Sequence, residues 1–223
     1  GLLKKGDGWR KALTTGKRLG DYENWSVRTG LKIEHGDVSA LLRYTRSDID
    51  DPTSTLTSSY FNPSFGAGNP AFSVLGTTAT TSRNKIATDN AAEYFRAKTD
   101  VVQLTIKADL GFADLASYSQ YRKEDVDSSI DLDHSGAPIF QLGLPNINRT
   151  TSQELLLTSK PGGALTWTAG LFWFSNKDKY ITHIDNAGLA PKGRIRLGGS
   201  STTTKSLAAF LDMTYEVTPQ LFV

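Results

Sequence analysis

A strict alternation of apolar and polar residues runs through most of this chain. Between Asn24 and Glu34, the apolar residues and one threonine fall on every second position, with polar residues or glycine between them. Successive side chains of a β-strand point to opposite faces, so the pattern predicts a strand with one apolar and one polar face. Similar stretches recur at 38–45, 100–110, 151–160, 164–177 and 204–217. The chain is therefore predicted to be all-β, an antiparallel up-and-down meander.

The connections between these stretches alternate between short and long. Turn residues mark short ones at 35–37, 111–112, 161–163 and 218–220, whereas long ones are expected over 50–97, 124–149 and 178–203. In an up-and-down sheet every second connection lies at the same end, so the long ones should share one end. Structureless loops beyond about 12–15 residues are uncommon in a compact domain. Short periplasmic turns and longer extracellular loops are typical of transmembrane β-barrels, and this asymmetry favours one here.

Composition excludes several other classes. The chain has no cysteine, which removes disulfide scaffolds, thiolate zinc sites and thiol catalysis. Its 25 Lys and Arg balance 23 Asp and Glu, and this gives no reason to expect a nucleic-acid partner. No stretch is apolar for long enough to be a transmembrane helix. The chain begins without Met and ends on Val223 just after a turn, so we expect an internal segment of a longer protein.

A barrel would turn the apolar strand face to lipid and the polar face to the lumen. The side chains expected on the lipid side are Val27, Leu31, Leu104, Ile106, Leu155, Leu171, Leu207 and Leu211. Aromatic residues near the strand ends fit the girdles at the two membrane interfaces, namely Trp25, Tyr44, Trp167, Trp173 and Tyr215. The alternative is a soluble β-sandwich, whose inward faces are also apolar. Burial of the eight side chains against a second layer of protein would favour the sandwich.

One hairpin has a pattern that is informative beyond alternation. The segment 151–159 contains SQEL and is followed, after Pro161-Gly162-Gly163, by WTAGLFWF at 167–174. Together with 19–28, 42–44 and 111–122, this hairpin resembles the barrel region of TonB-dependent outer-membrane receptors of the iron-complex type. The resemblance covers most strands from about residue 19 onward.

That resemblance implies a transport receptor of the bacterial outer membrane, not an enzyme. It implies uptake of a scarce nutrient, a ferric siderophore or similar iron complex, energised by the TonB–ExbB–ExbD complex acting through a plug domain. Outer-membrane lipid and the small-molecule ligand would be the other partners, and no cofactor is implied. The family's barrel has 22 strands, so this chain, which lacks a TonB box and a plug, would supply only part of the wall. A passive porin and a soluble carbohydrate-binding module remain alternative functions.

Two sets of candidate binding residues follow. Charged residues on the polar strand faces could contact a plug or an anionic chelate, or could simply line a wet lumen; they are Arg28, Lys32, Arg43, Lys107 and Glu154. Residues expected in outer loops could contact ligand, or could pin and solvate the loops; they are Phe61, Phe65, Phe72, Asp125, Asp127, Asp131, Asp133 and His134. The last five are chemically able to hold a cation, but they do not match the spacing of a calcium loop, and no metal site is predicted.

Overall fold

A computed structural model of the chain describes residues 1–12, 16–51, 84–86, 93–131, 141–186, 193–218 and 220–223. These residues form thirteen strands. The strands are β1 Leu2–Gly6, β2 Arg10–Ala12, β3 Arg18–Leu19, β4 Tyr22–His35, β5 Val38–Asp50, β6 Lys85–Ile86, β7 Tyr94–Asp109, β8 Ala113–Asp131, β9 Gln141–Gly143, β10 Asn146–Ser159, β11 Leu165–Asn186, β12 Gly193–Thr218 and β13 Leu221–Phe222. The ranges given above include no helix of the length and apolar character that a membrane span requires.

The large sheet is an antiparallel meander with the order β1-β4-β5-β7-β8-β10-β11-β12-β13. Strand β9 pairs with β8 and β11 in line with β10. Pro145, which has no N–H group, lies in the gap between the two, but the register continues unbroken from Gly143 to Asn146. The two pieces therefore act as one interrupted strand, and the predicted all-β, antiparallel fold is confirmed.

Tight turns join the strands at one end of the sheet. Gly36, Gly111 and Gly162 lie in these turns with positive φ angles of 53°, 82° and 95°, a region that L side chains rarely adopt. The N–H of Gly111 also donates to the Asp109 carboxylate at 2.7 Å. We call this the turn end. The longer connections leave the opposite end, the loop end, as the alternation of connection lengths predicts.

The strands extend much further toward the loop end than the sequence predicts. The β11–β12 ladder continues through Asn186 and Gly193, so the prediction of a loop over 178–203 is wrong. Asp125 and Asp127 likewise lie within β8, and Asp131 is its last residue, so these three are not loop residues. The end of the apolar pattern predicts the end of a strand, but polar residues continue a ladder wherever their backbone groups find partners. The segments 52–83 and 132–140 lie outside the described residues.

The register separates two faces of the large sheet, because directly opposed residues of antiparallel strands share a face. One row runs Leu31–Leu42–Leu104 and continues to Trp173 and Leu207. All eight side chains predicted to meet lipid lie on this apolar face. Six are exposed, namely Val27, Leu31, Leu155, Leu171, Leu207 and Leu211. Leu104 and Ile106 are half-buried.

The described residues of this sheet form no conventional hydrophobic core. Among the described residues, the buried apolar side chains are three alanines, Ala12, Ala97 and Ala113. Apart from a few weak contacts, the described strands touch only the strands with which they pair. A sandwich buries two apolar faces against each other, and the described part of the chain has no such arrangement.

Candidate ligand-binding cleft and polar face

The five charged residues predicted to line the lumen all lie on the polar face, the face opposite the apolar one. The Arg28 Nε donates to Thr45 Oγ1 at 3.1 Å, and Lys32 Nζ forms an ion pair with Glu34 at 2.5 Å. Arg43 lies opposite Gln103, whose amide donates to Gln120 at 2.9 Å. This face is therefore mainly polar along β4, β5, β7 and β8, although apolar residues such as Leu41 and Val101 also lie on it.

The structure does not gather the five residues into one site. Lys107 of β7 lies near the turn end, opposite Ser39 of β5, and Ser39 in turn lies opposite Glu34 of β4. Glu154 lies on β10, between Tyr118 of β8 and Phe172 of β11. Arg28, Lys32 and Arg43 are closer together, but they sit on the wall without enclosing a space. Their role in contacting a plug or a ligand stays a prediction.

A more enclosed arrangement lies at the loop end, in a second small sheet of order β3-β2-β6. Its strands come from two different connections, since β2 and β3 follow β1 and β6 precedes β7. The N–H of Lys11 donates to the Asn84 carbonyl at 2.8 Å, and the N–H of Ala12 donates to the Lys17 carbonyl at 2.9 Å. The first bond joins the two connections, and the second closes the β2–β3 hairpin. Together they shape one cleft, which is lined by Asp7, Gly8, Trp9, Lys11, Gly16, Arg18, Asn84 and Lys85.

Three cations and one carboxylate, that of Asp7, line this loop-end cleft. Lys11 lies directly opposite Arg18 on one side and Lys85 on the other. All three are exposed, and none forms an ion pair with another described residue. Like charges directly opposite each other on neighbouring strands are destabilising, so an anion bound among them would be stabilising. Lys85 is distant from Lys11 and Arg18 along the chain, so no sequence pattern indicates that the three cations share a site.

Two further contacts shape the cleft. Gly8 is buried, and a Cβ atom at this position would lie 2.7 Å from the Leu19 carbonyl oxygen, so only glycine lets the chain approach β3 this closely. Trp9 is 54% exposed, and the Arg10 guanidinium carbon lies 4.7 Å from the centre of its ring. The cleft therefore offers an aromatic surface beside its three cations.

The acidic residues proposed for outer loops are engaged by neighbouring side chains. Asp125 forms an ion pair with Lys123 at 2.7 Å, and Asp127 accepts a hydrogen bond from the Tyr94 hydroxyl at 3.2 Å. No group of three metal-ligating side chains occurs in the part of the chain that the structure describes. Phe61, Phe65, Phe72, Asp133 and His134 lie outside the described residues, as does the side chain of Asp131.

An acid–base pair closes the β11–β12 hairpin near the loop end. Arg194 donates to both carboxylate oxygens of Asp185, at 2.7 and 2.9 Å. These hydrogen bonds hold the pKa of Asp185 below its ordinary value. His183 is 8% exposed, and its Nε2 lies 3.7 Å from Asp185. The pair joins the two strands near the loop end of the hairpin. Both carboxylate oxygens of Asp185 already accept hydrogen bonds from Arg194, so Asp185 is a poor candidate for binding a ligand.

The aromatic residues predicted as girdles all lie on the apolar face. Trp25 lies toward the loop end of β4, and Tyr44 lies at the middle of β5. Trp167, Trp173 and Tyr215 lie in the halves of β11 and β12 that are nearer the turn end. Trp167 and Trp173 are six residues apart on β11, which is about 20 Å along a strand and less along the membrane normal, because barrel strands are tilted by about 35–45°. An outer-membrane apolar band is about 25 Å tall, so this pair does not span it. The placement of the five aromatic residues at two interfaces stays a prediction.

Comparison with known proteins gives one informative match. The chain is similar to the crystal structure of the ferric yersiniabactin uptake receptor FyuA from Yersinia pestis, with a TM-score of 0.71 and 16% sequence identity. The match covers 97% of this chain and 31% of the receptor chain. No family profile and no curated protein matches the chain. The match spans nearly the whole chain, so the antiparallel strand wall has the same fold as a portion of that receptor's chain.

Proposed function

We propose that this chain forms part of the barrel wall of an outer-membrane uptake receptor. The observation that carries the proposal is the match of 97% of the chain to a ferric yersiniabactin uptake receptor. The ligand class that we propose is an anionic iron chelate, such as a ferric siderophore. We further propose that import is energised by the TonB–ExbB–ExbD complex through a plug domain.

The apolar face supports the membrane placement. Exposed leucines such as Leu171 and Leu207 lie in a band with no described layer over them, which would be costly in water but favourable in lipid. The band also contains Gln153, whose amide donates to the Ser117 hydroxyl at 2.9 Å and whose carbonyl oxygen accepts a hydrogen bond from Ser119. Polar groups in a bilayer must find partners within the protein, and Gln153 has found them.

The loop-end cleft supports the ligand class. Lys11, Arg18 and Lys85 provide positive charge without internal carboxylate partners among the described residues. A carboxylate- or catecholate-bearing chelate is anionic and presents oxygen acceptors that fit lysine and arginine donors. The exposed ring of Trp9 offers a stacking surface for the flat parts of such a ligand.

The test is uptake of radiolabelled iron chelates by cells that produce the full-length protein. Cells should accumulate at least one anionic chelate only when the protein is present and the proton-motive force is intact. A triple variant, Lys11→Gln with Arg18→Gln and Lys85→Gln, should reduce that uptake at least tenfold at limiting chelate. Lys5→Gln is the matched control, since Lys5 also lies at the loop end but forms an ion pair with Glu23 at 3.0 Å.

The outcomes separate the parts of the proposal. Uptake that persists without a proton-motive force would indicate a passive pore and would contradict the energised mechanism. Equal uptake by the triple variant and the control would remove the cleft from ligand recognition. Recovery of the full-length protein in the soluble fraction without detergent would contradict the membrane placement itself.

A further inference from the structure

The apolar face carries charged residues between its apolar band and the loop end. On β4, β5, β7 and β8 these charges neutralise one another across neighbouring strands. The pairs are Arg46 with Asp100, Arg96 with Asp50 at 3.2 Å, and Lys98 with Asp48 at 3.9 Å. This part of the face therefore has little need of an external counterion.

On β10, β11 and β12, the charges between the apolar band and the loop end are not paired in this way. It carries four basic residues, which we call the outer cation cluster: Arg149, Lys177, Lys179 and Lys205. All four are exposed, and none forms an ion pair with another described residue. On this face of the three strands, no carboxylate lies between the apolar band and residue 181. On the adjoining strand β8, Lys123 lies directly opposite Arg149 and forms its own ion pair with Asp125 at 2.7 Å. The four cations of the cluster therefore have no ion-pair partner within the described structure.

The register brings the four cations close together. Arg149 lies directly opposite Lys177, a separation of about 4.5–5.5 Å between Cβ atoms. Lys205 is a diagonal neighbour of Lys177, at about 7–8 Å, and Lys179 follows Lys177 by two residues at about 7 Å. Like charges at these separations destabilise a sheet unless an anion lies between them. The arrangement therefore favours a multiply charged anion on the outside of the sheet.

The surroundings determine what kind of anion fits. Lys205 is two residues from Leu207, and Lys177 is four residues from Trp173, so the cluster borders the apolar band directly. The hydroxyls of Thr151 and Ser175 lie between the cations and the band and can donate further hydrogen bonds. A ligand seated here would place its charged oxygens on the cluster and its hydrocarbon chains along the leucines. An anionic lipid has these two parts, a charged headgroup joined to hydrocarbon chains.

We propose that the outer cation cluster binds the phosphate-bearing headgroup of an anionic membrane lipid. The proposal rests on the membrane placement given above, but not on the transported ligand or the energy source. It assigns these four residues to holding lipid on the outer surface of the sheet, which is a role separate from that of the loop-end cleft. The lipid anion offsets the repulsion between Arg149 and Lys177.

The test is lipid binding by the full-length protein purified in a neutral detergent. Native mass spectrometry measures the apparent dissociation constants for added phosphatidylglycerol and for phosphatidylcholine. The unmodified protein should prefer phosphatidylglycerol. The double variant Arg149→Gln with Lys177→Gln should bind phosphatidylglycerol about 30-fold more weakly, at about fivefold for each charge removed near a membrane surface.

The matched control is Arg96→Gln with Lys98→Gln. It removes the same charge from the same face, but at residues that already have carboxylate partners. Its affinity for phosphatidylglycerol should change less than threefold. Lys177→Arg keeps the charge and should keep the binding. If the double variant fails to fold, Lys205→Gln alone should still weaken binding about fivefold.

Three results would overturn the proposal. The first is equal affinity of the unmodified protein for the two lipids. The second is an equal loss in the double variant and in the control. The third is displacement of phosphatidylglycerol by millimolar inorganic phosphate, which would indicate a site for free phosphate instead of a lipid. Recovery of the protein without detergent would instead refute the membrane placement, so the two failures are distinguishable.

Discussion

Replacing Leu171 with arginine tests the lipid-facing assignment most directly. Leu171 is 54% exposed and lies on the apolar face between Leu155 of β10 and Ala209 of β12. It is four residues from Trp167 and two from Trp173, so it lies inside the predicted band. None of its direct neighbours can accept a hydrogen bond from a guanidinium through a side chain. In water, an exposed Leu→Arg change on a sheet costs little, because surface substitutions usually stay within about 0.5 kcal/mol.

In a bilayer the same change should be expensive. Arginine on the lipid face of a barrel costs about 2–4 kcal/mol at the midplane and about 0–1 kcal/mol near the interfaces. We expect Leu171→Arg to lower the free energy of unfolding by about 2–3 kcal/mol, because its distance from Trp173 allows some snorkelling toward the interface. The measurement is guanidinium unfolding of the full-length protein in phospholipid vesicles, followed by tryptophan fluorescence.

The control is Thr168→Arg on the same strand. Thr168 lies on the polar face, directly opposite Asp212, so an arginine there gains a carboxylate neighbour. We expect this variant to lose less than about 1 kcal/mol. Equal losses for the two variants would refute the assignment of lipid and polar faces. A loss for Thr168→Arg alone would mean that the faces are inverted.

Two further predictions concern local packing and pH. The Phe210 ring covers Gly170 so closely that a Cβ atom would clash with the ring carbons, so Gly170→Ala should cost about 1–3 kcal/mol and a second change, Phe210→Leu, should recover part of it. Gly163→Ala is the control in the same thermal unfolding assay, because a Cβ atom there would lie 3.8 Å from the Leu165 carbonyl oxygen, an ordinary contact distance. An equal loss in the two variants would remove the clash as the cause. At the turn end, the ammonium of Lys160 lies 2.7 Å from the Asp109 carboxylate and lowers its pKa. Because the pKa of Asp109 is lowered in the folded protein, the ion pair stabilises the fold above the ordinary pKa of 3.8, and this stabilisation is lost as pH falls below that value. The difference in thermal midpoint between the unmodified protein and Lys160→Gln should therefore shrink below pH 3.8. A difference that is constant down to pH 2.5 would contradict the ion pair.

The faces of the strands could be predicted because they depend on neighbours along the chain. Val27 and Leu31 share a face by periodicity alone, and no tertiary contact was needed to assign them. The tight turns at Gly111 and Gly162 could be predicted equally well, because a positive φ angle is a local property of the residue.

The ends of the strands could not be predicted in this way. Between Asp178 and Asn186 the apolar pattern disappears, yet the strand continues because β12 supplies backbone partners for each residue. Whether such partners exist is a property of the fold and not of the segment. Asp125 and Asp127 were assigned to a loop for the same reason.

The two-faced strands and the tight turns at one end follow from the sequence, because the alternation of side chains and the turn-forming residues depend only on neighbours along the chain. The tertiary structure alone decided which charges meet. Arg46 pairs with Asp100, Lys11 lies between Arg18 and Lys85, and Arg149 lies against Lys177. Each of these neighbours is set by the register between strands that are distant in sequence, and register is fixed by the whole sheet at once.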